Sequence, residues 1–194
     1  MITRNNAIWH TNGNNYHLTQ ESTAKLPNTK VSLEESLLTP SYSEALRNQE
    51  LPDYRMLCYQ LLTDLLQYEH HSVMDFLSAM SRVRPLDTLT RKQLTNHPDS
   101  SHVLVDNEYM KIILIHWEPG ALSSIHGHPD GGCVFKVLSG VVEEKKYTAS
   151  DMPKLISKST IHEGGMGFIH NDMGLHAVGN PFSQSAICLH AYAK

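Results

Sequence analysis

Gly120-Ala-Leu-Ser-Ser-Ile-His126-Gly-His128-Pro-Asp-Gly-Gly-Cys133-Val-Phe-Lys-Val-Leu-Ser-Gly140 is the stretch on which the reading of this chain turns. Two histidines one residue apart on a strand project to one face, because strand side chains alternate with period two. Two imidazoles converging on one point make half of a metal site. The same pair on a solvated strand face makes none, so the flanking chain has to decide.

Working outward, short apolar runs surround this stretch. They are Val103-Leu-Val105, Met110 to Trp117, Val134 to Leu138, Val141-Val142 and Ile187 to Tyr192. Asp106-Asn107, Glu118-Pro-Gly120, Pro129-Asp-Gly-Gly132 and Ser139-Gly140 separate them, and these are turn formers. Many short strands with close turns predict a mainly β fold, an antiparallel sandwich or barrel.

Upstream the period is helical. Leu57, Leu61 and Leu65 form one stripe from Tyr54 onward. Ser72-Val-Met-Asp75 has the form of a capping box, and Val73, Phe76, Leu77 and Met80 follow at helical spacing until Pro85. A third helix is predicted from Asp87 to Leu94, and Ser32-Leu-Glu-Glu35 opens a short one that Pro40 stops. The expected organisation is one domain over 1–194. It comprises a polar extension over 1–30, a helical region over 31–100 packed outside, and a β-barrel over 101–194.

Composition excludes some partners. Lys and Arg number 16 against 20 Asp and Glu, and no basic run occurs, so nothing draws the chain to nucleic acid or an anionic membrane. No apolar run approaches the length of a membrane span, and the first residues lack the apolar core of a signal peptide. Three widely spaced cysteines (Cys58, Cys133, Cys188) do not make a disulfide framework, so a reducing cytoplasm is expected.

The glycine spacing sharpens the histidine pair. Gly120 precedes His126 by five intervening residues, Cys133 follows His128 by four, and Gly140 follows Cys133 by six. This resembles the first motif of the cupin superfamily, Gly-x5-His-x-His-x3–4-Glu-x6-Gly, with cysteine where glutamate usually sits. Gly174-Leu-His176-Ala-Val-Gly-Asn180 resembles the second motif, which supplies a third histidine from a distant strand. The run Ser123-Ser-Ile-His126-x-His128-x4-Cys133, then Gly174-Leu-His176, then Leu189-His190-Ala-Tyr192, is similar to the cysteine dioxygenase family of thiol dioxygenases. Trp117, nine residues before His126, fits as well, and the resemblance covers roughly Val103 to Tyr192.

That resemblance implies a small cupin barrel, a double-stranded jelly roll, holding one Fe(II) by His126, His128 and His176. It also implies a thioether between Cys133 and Tyr192, with His190 holding the tyrosine. The activity it implies is oxidation of a small thiol by O2 to its sulfinate, by family default L-cysteine to cysteine sulfinate. The chemistry is coherent: three neutral imidazoles leave a metal its full positive charge, and a thiol bound to that metal is deprotonated.

Alternatives remain at this level. Asp130 gives His-x-His-x-Asp, and Glu143 or Glu144 could supply a carboxylate, which would make another cupin metalloenzyme acting on a non-thiol substrate. A non-catalytic ligand-binding cupin is the third reading. Cys133 could be an inert buried thiol and Tyr192 an ordinary strand tyrosine. Cys188 stands where the family usually has serine and reads as cavity wall or packing. The family's carboxylate-binding arginine has no counterpart, since no arginine follows Arg91. Alignment puts His102 at its position, and Arg82, Arg84 and Arg91 are the other candidates for reaching the barrel mouth.

Overall fold

The computed structural model describes residues 6–12, 15–21, 72–96, 101–107, 109–128 and 131–194. The stripe from Tyr54, the Ser32 cap and Asp130 lie outside the described residues. Within the polar stretch read as an extension, β1 (Asn6–Asn12) and β2 (Asn15–Glu21) pair antiparallel as a two-stranded sheet.

The other strands, in chain order, are β3 (Ser101–Asp106), β4 (Met110–Trp117), β5 (Cys133–Ser139), β6 (Val141–Tyr147), β7 (Leu155–His162), β8 (Met166–Ile169), β9 (Leu175–Gly179) and β10 (Ala186–Ala193). They form two antiparallel sheets, one of order β3-β4-β10-β5-β8 and one of order β7-β6-β9. This is the cupin jelly roll that the motif spacing predicted.

β4, β5 and β10 are buried along their whole length, which is why they read as continuous apolar runs. Alternation divides their side chains. Met110, Ile112, Leu114, Leu189 and Ala191 face an outer core that also contains Val73, Phe76, Ala79 and Met80. Ile113, Ile115, Trp117, Phe135, Cys188 and Tyr192 face an inner core between the sheets, with Val142 and Val178 opposite.

The outer core is where the helices dock. A 3₁₀ turn (Val73–Phe76) runs into α1 (Leu77–Arg82), and the predicted capping box is present: the Ser72 hydroxyl accepts from Met74 N, and Ser72 N donates to Asp75 Oδ2. Val73, Phe76 and Met80 are fully buried, and each contributes about 1.5–3 kcal/mol by leaving water. Lys136 on β5 faces the same side. Its Nζ donates to Met80 O at 3.1 Å and Ser81 O at 2.6 Å, closing carbonyls that the end of α1 leaves open. The helix stops before Pro85, with Val83 already extended. The third predicted helix is α2 (Thr88–Thr95), capped by the Asp87 carboxylate accepting from Leu89 N and Thr90 N.

One expectation needs correction. His126 and His128 do not sit on a regular strand; residues 121–128 are irregular apart from isolated bridges at Leu122 and His126. The segment lies along the free edge of β9. His126 and His176 exchange backbone hydrogen bonds, each 2.9 Å, and Ser123 N donates to Val178 O at 2.9 Å. Gly120 N and Asn180 N close the same edge on Asn180 O and Ala121 O, both 2.7 Å. β5 is entered through Gly132 at φ 85°, a left-handed backbone conformation that glycine adopts without strain.

Candidate metal centre

Backbone pairing between His126 and His176 brings together side chains fifty residues apart. His176 Nε2 is 3.1 Å from His126 Nε2 and 2.7 Å from His128 Nε2. The three rings meet edge to face, with interplanar angles of 72–82° and centroids 4.7–4.9 Å apart. His128 and His176 are buried and His126 nearly so.

The far nitrogens are anchored. His176 Nδ1 lies 2.9 Å from Glu144 Oε1, and His126 Nδ1 lies 2.8 Å from Ser124 O. A carboxylate and a carbonyl can only accept, so both Nδ1 atoms carry the proton. With both rings neutral, both Nε2 atoms present lone pairs, and no hydrogen bond joins them at 3.1 Å. Two lone pairs forced that close repel unless a cation stands between them. Metal–nitrogen bonds of about 2.0–2.1 Å at right angles separate the nitrogens by ~3 Å, so the cluster fits a metal.

Charge state agrees. Burial, then the like charge His176 would carry, lowers the pKa of His126 to about 3, against a smaller upward pull from the Ser124 carbonyl. Burial followed by the neighbouring imidazoles holds His128 well below its ordinary value. His126 and His128 are therefore neutral and ready to coordinate without releasing protons.

Among the described residues, neither Glu143 nor Glu144 belongs to the converging group. Glu144, read from sequence as an alternative donor, is buried at 3 % exposure and spends Oε1 on His176 Nδ1. It acts behind the ligand, orienting the ring. Its identity as an orienting group was hidden in the sequence, because it depends on the β6–β9 register: Glu144 stands opposite Val178, diagonal to His176. Glu143 points to the other side of β6, held by Lys158 at 2.6 Å and Lys145 at 3.3 Å.

Tyr192 on β10 pairs directly with Cys133 on β5, and its ring centroid is 5.5 Å from that of His128. Cys133 is 1 % exposed. Burial raises its pKa well above the ordinary thiol value, against a hydrogen bond with Tyr192 that lowers it and the Glu144 charge that raises it. His190 Nδ1 is 3.5 Å from the Tyr192 hydroxyl, at the far limit of a hydrogen bond, and its ring stacks on Phe135 at 5.1 Å. Burial, then the like charges that His176 and His126 would carry when protonated, lowers the His190 pKa to about 3. Cys188 is a fully buried inner-core residue whose thiol burial raises in pKa, with Trp117 as its hydrogen-bond neighbour.

These groups border a cavity between the sheets whose wall includes His126, His176, His190, Tyr192 and Trp117. His102 is not part of that wall. It pairs with Leu114, on the outer-core face, whereas its neighbours Ser101 and Val103 face inward. Arg82, Arg84 and Arg91 are exposed and do not line the cavity; Arg82 bonds Ser78 Oγ at 2.7 Å.

A jelly roll of two antiparallel sheets with three converging imidazoles defines a cupin with a three-histidine candidate metal site. More narrowly, the chain belongs to the cysteine dioxygenase type I family, whose sequence profile matches residues 86–194. It is 34% identical over 97 residues to cysteine dioxygenase type 1 of Rattus norvegicus, covering 46% of this chain and 48% of that one. The Danio rerio protein of the same name is 32% identical over 98 residues, covering 46% and 49%. The chain thus spans about half the length of the curated relatives it matches. Among solved structures, a cupin superfamily protein of Desulfitobacterium hafniense aligns at TM-score 0.38 and 16% identity over 48% of this chain and 74% of that one.

Proposed function

We propose that the chain is a thiol dioxygenase, combining a small thiol RSH with O2 to give the sulfinic acid RSO2H. Both oxygen atoms end on sulfur, so no external reductant is required. The observation that carries this reading is the pair of Nε2 lone pairs held 3.1 Å apart on Nδ1-protonated rings, with His128 completing the set. By family, Fe(II) is the metal that His126, His128 and His176 would hold. L-cysteine is the default substrate, from the name its relatives bear.

Bound there, Fe(II) would ionise the thiol and overcome the spin and charge barriers between thiolate and O2. The remaining work falls to the chain. Glu144 keeps His176 in the coordinating tautomer and Ser124 O does the same for His126. Apolar Ile113, Ile115 and Val178 line the cavity and keep water from competing with the reactants. The Tyr192 hydroxyl, between His190 and the triad, offers the substrate a hydrogen bond. A Cys133–Tyr192 thioether would lock that ring in place. A reducing compartment, the cytoplasm, suits a free-thiol substrate. Among the described residues no helix is long and apolar enough to cross a membrane.

The test is metal content and O2 uptake of His126→Ala, His128→Ala and His176→Ala against wild type, with a panel of small thiols. Each variant is expected to lose stoichiometric iron and thiol-dependent O2 consumption. Full iron retained in all three, or no thiol consumed by iron-loaded wild type, would overturn the proposal.

A further inference from the structure

Lys111 is the one lysine or arginine among the described residues lining the cavity, and no carboxylate lines it. It follows from strand parity. Lys111, Ile113, Ile115 and Trp117 all face inward from β4, and three of the four are apolar. Lys111 stands directly opposite Tyr192 on β10, and cross-strand partners lie about 4.5–5.5 Å apart. Its side chain therefore rises beside the phenol that touches the histidine cluster.

Only 7 % of Lys111 is exposed, and lysine is almost never this buried unless paired. The partner is Asp106, with Oδ2 at 3.0 Å from Lys111 Nζ. That pairing is incomplete, because Asp106 Oδ1 is engaged by Lys194 Nζ, which also donates to Asn107 O at 2.6 Å. Among the described residues, two ammoniums share this one carboxylate. An ammonium has three donors, and Asp106 takes one of them. A β-bulge between Val103 and Val105 sets Asp106 opposite Lys111, at the rear of the cavity wall.

We infer that Lys111 is the specificity-determining residue of this cavity. It receives an anionic group, a carboxylate, at the end of the substrate remote from its thiol. Resting on the thiol dioxygenase reading above, this deepens it: the substrate is an acidic thiol, and an aminothiol without a carboxylate is disfavoured. The ammonium is a point charge and gives the carboxylate one or two N–H bonds, where a guanidinium would give a planar fork. The low-dielectric walls of Ile113 and Ile115 strengthen that attraction.

The experiment compares 3-mercaptopropionate with 2-mercaptoethanol, thiols of similar reach ending in a carboxylate or a hydroxyl. Anaerobic calorimetric titrations are run on the full chain loaded with Fe(II), as wild type, Lys111→Met, Lys111→Gln and Lys111→Arg, with KM for O2 uptake measured alongside. Wild type is expected to favour the carboxylate thiol by about ten-fold or more, the scale of one charge-assisted hydrogen bond. Lys111→Met and Lys111→Gln are expected to lose the preference and raise KM for the carboxylate thiol, and Lys111→Arg to keep most of it. Loss of the preference in Lys111→Gln alone suffices where Lys111→Met does not fold. Retention of the preference in a folded Met or Gln variant, or its absence from wild type, overturns the inference. A carboxylate preference without O2 uptake by any thiol would instead overturn the dioxygenase reading and leave the Lys111 assignment standing.

Discussion

Glu144→Gln is the most informative single substitution outside the three ligands. The native carboxylate is 3 % exposed and accepts from His176 Nδ1 at 2.9 Å, while its other oxygen is 3.8 Å from Lys146 Nζ. Glutamine keeps the shape and one accepting oxygen, so His176 keeps its tautomer, but the negative charge behind the ring is gone. A hydrogen bond to a charged group is worth about 1.5–3 kcal/mol against 0.5–1.5 for a neutral one. The difference, about 1–2 kcal/mol, corresponds to a ~5–30-fold loss of metal affinity, overlapping the lower part of the ~10–100-fold range of such supporting contacts. Lys146 is 23% exposed and already offsets part of the carboxylate charge, which favours the lower end. Glu144→Ala removes the acceptor altogether and frees the tautomer, so its loss is expected nearer ~100-fold. Anaerobic Fe(II) titration against a chromophoric chelator measures both. Glu143→Gln is the control, since Glu143 pairs with Lys145 and Lys158 away from the site, and its affinity is expected to stay at wild type. Wild-type affinity in folded Glu144→Gln and Glu144→Ala would refute the orienting role.

Two further outcomes are expected. Thioether formation between Cys133 and Tyr192 replaces an S–H and a ring C–H by one C–S bond, with O2 taking the two electrons and two protons. Iron-loaded, O2-exposed protein should lose the mass of two hydrogens, and Tyr192→Phe or Cys133→Ala should not; an unchanged mass in active wild type would show that the crosslink is dispensable. In metal-free protein, His126 and His190 stay neutral down to about 3 while the unfolded imidazoles protonate near 6.5. The unfolded state then binds more protons between those values, so stability is lost as pH falls through that window. Each group contributes about 2 kcal/mol between about pH 7 and 5. Urea unfolding with a chelator present measures it, and a flat profile would contradict neutral burial.

Physical reasons separate what the sequence disclosed from what it concealed. β4, β5 and β10 were legible because helices cover one face and the second sheet the other, so most of their positions are apolar. The capping box at Ser72 was legible because it is a local bond pattern. β7 left no such mark: Leu155–His162 is exposed almost throughout, so no alternation distinguishes it from a loop. Its pairing is set by β6, a tertiary fact. The histidine triad was legible for a different reason, its resemblance to the two cupin motifs around His126, His128 and His176. The strand drawn through His126 and His128 was nevertheless the wrong account of why they converge. Backbone bonds to His176 on β9 hold that segment, not a ladder of its own.

The carboxylate contact is where linear alignment and strand parity part company. Alignment brought His102 to the position of the missing arginine, yet His102 pairs with Leu114 and so belongs to the outer face. Parity needs only one inward residue as its origin. Trp117 borders the cavity, and counting back in twos along an unbroken strand passes Ile115 and Ile113 and arrives at Lys111. A lysine in the run Met110-Lys-Ile-Ile-Leu-Ile115 looks like a solvated position. It cannot be one, because both faces of β4 are covered, so its charge must meet a partner inside. Asp106 is that partner and is shared with Lys194, and we assign the cavity side of the ammonium to the carboxylate of a substrate.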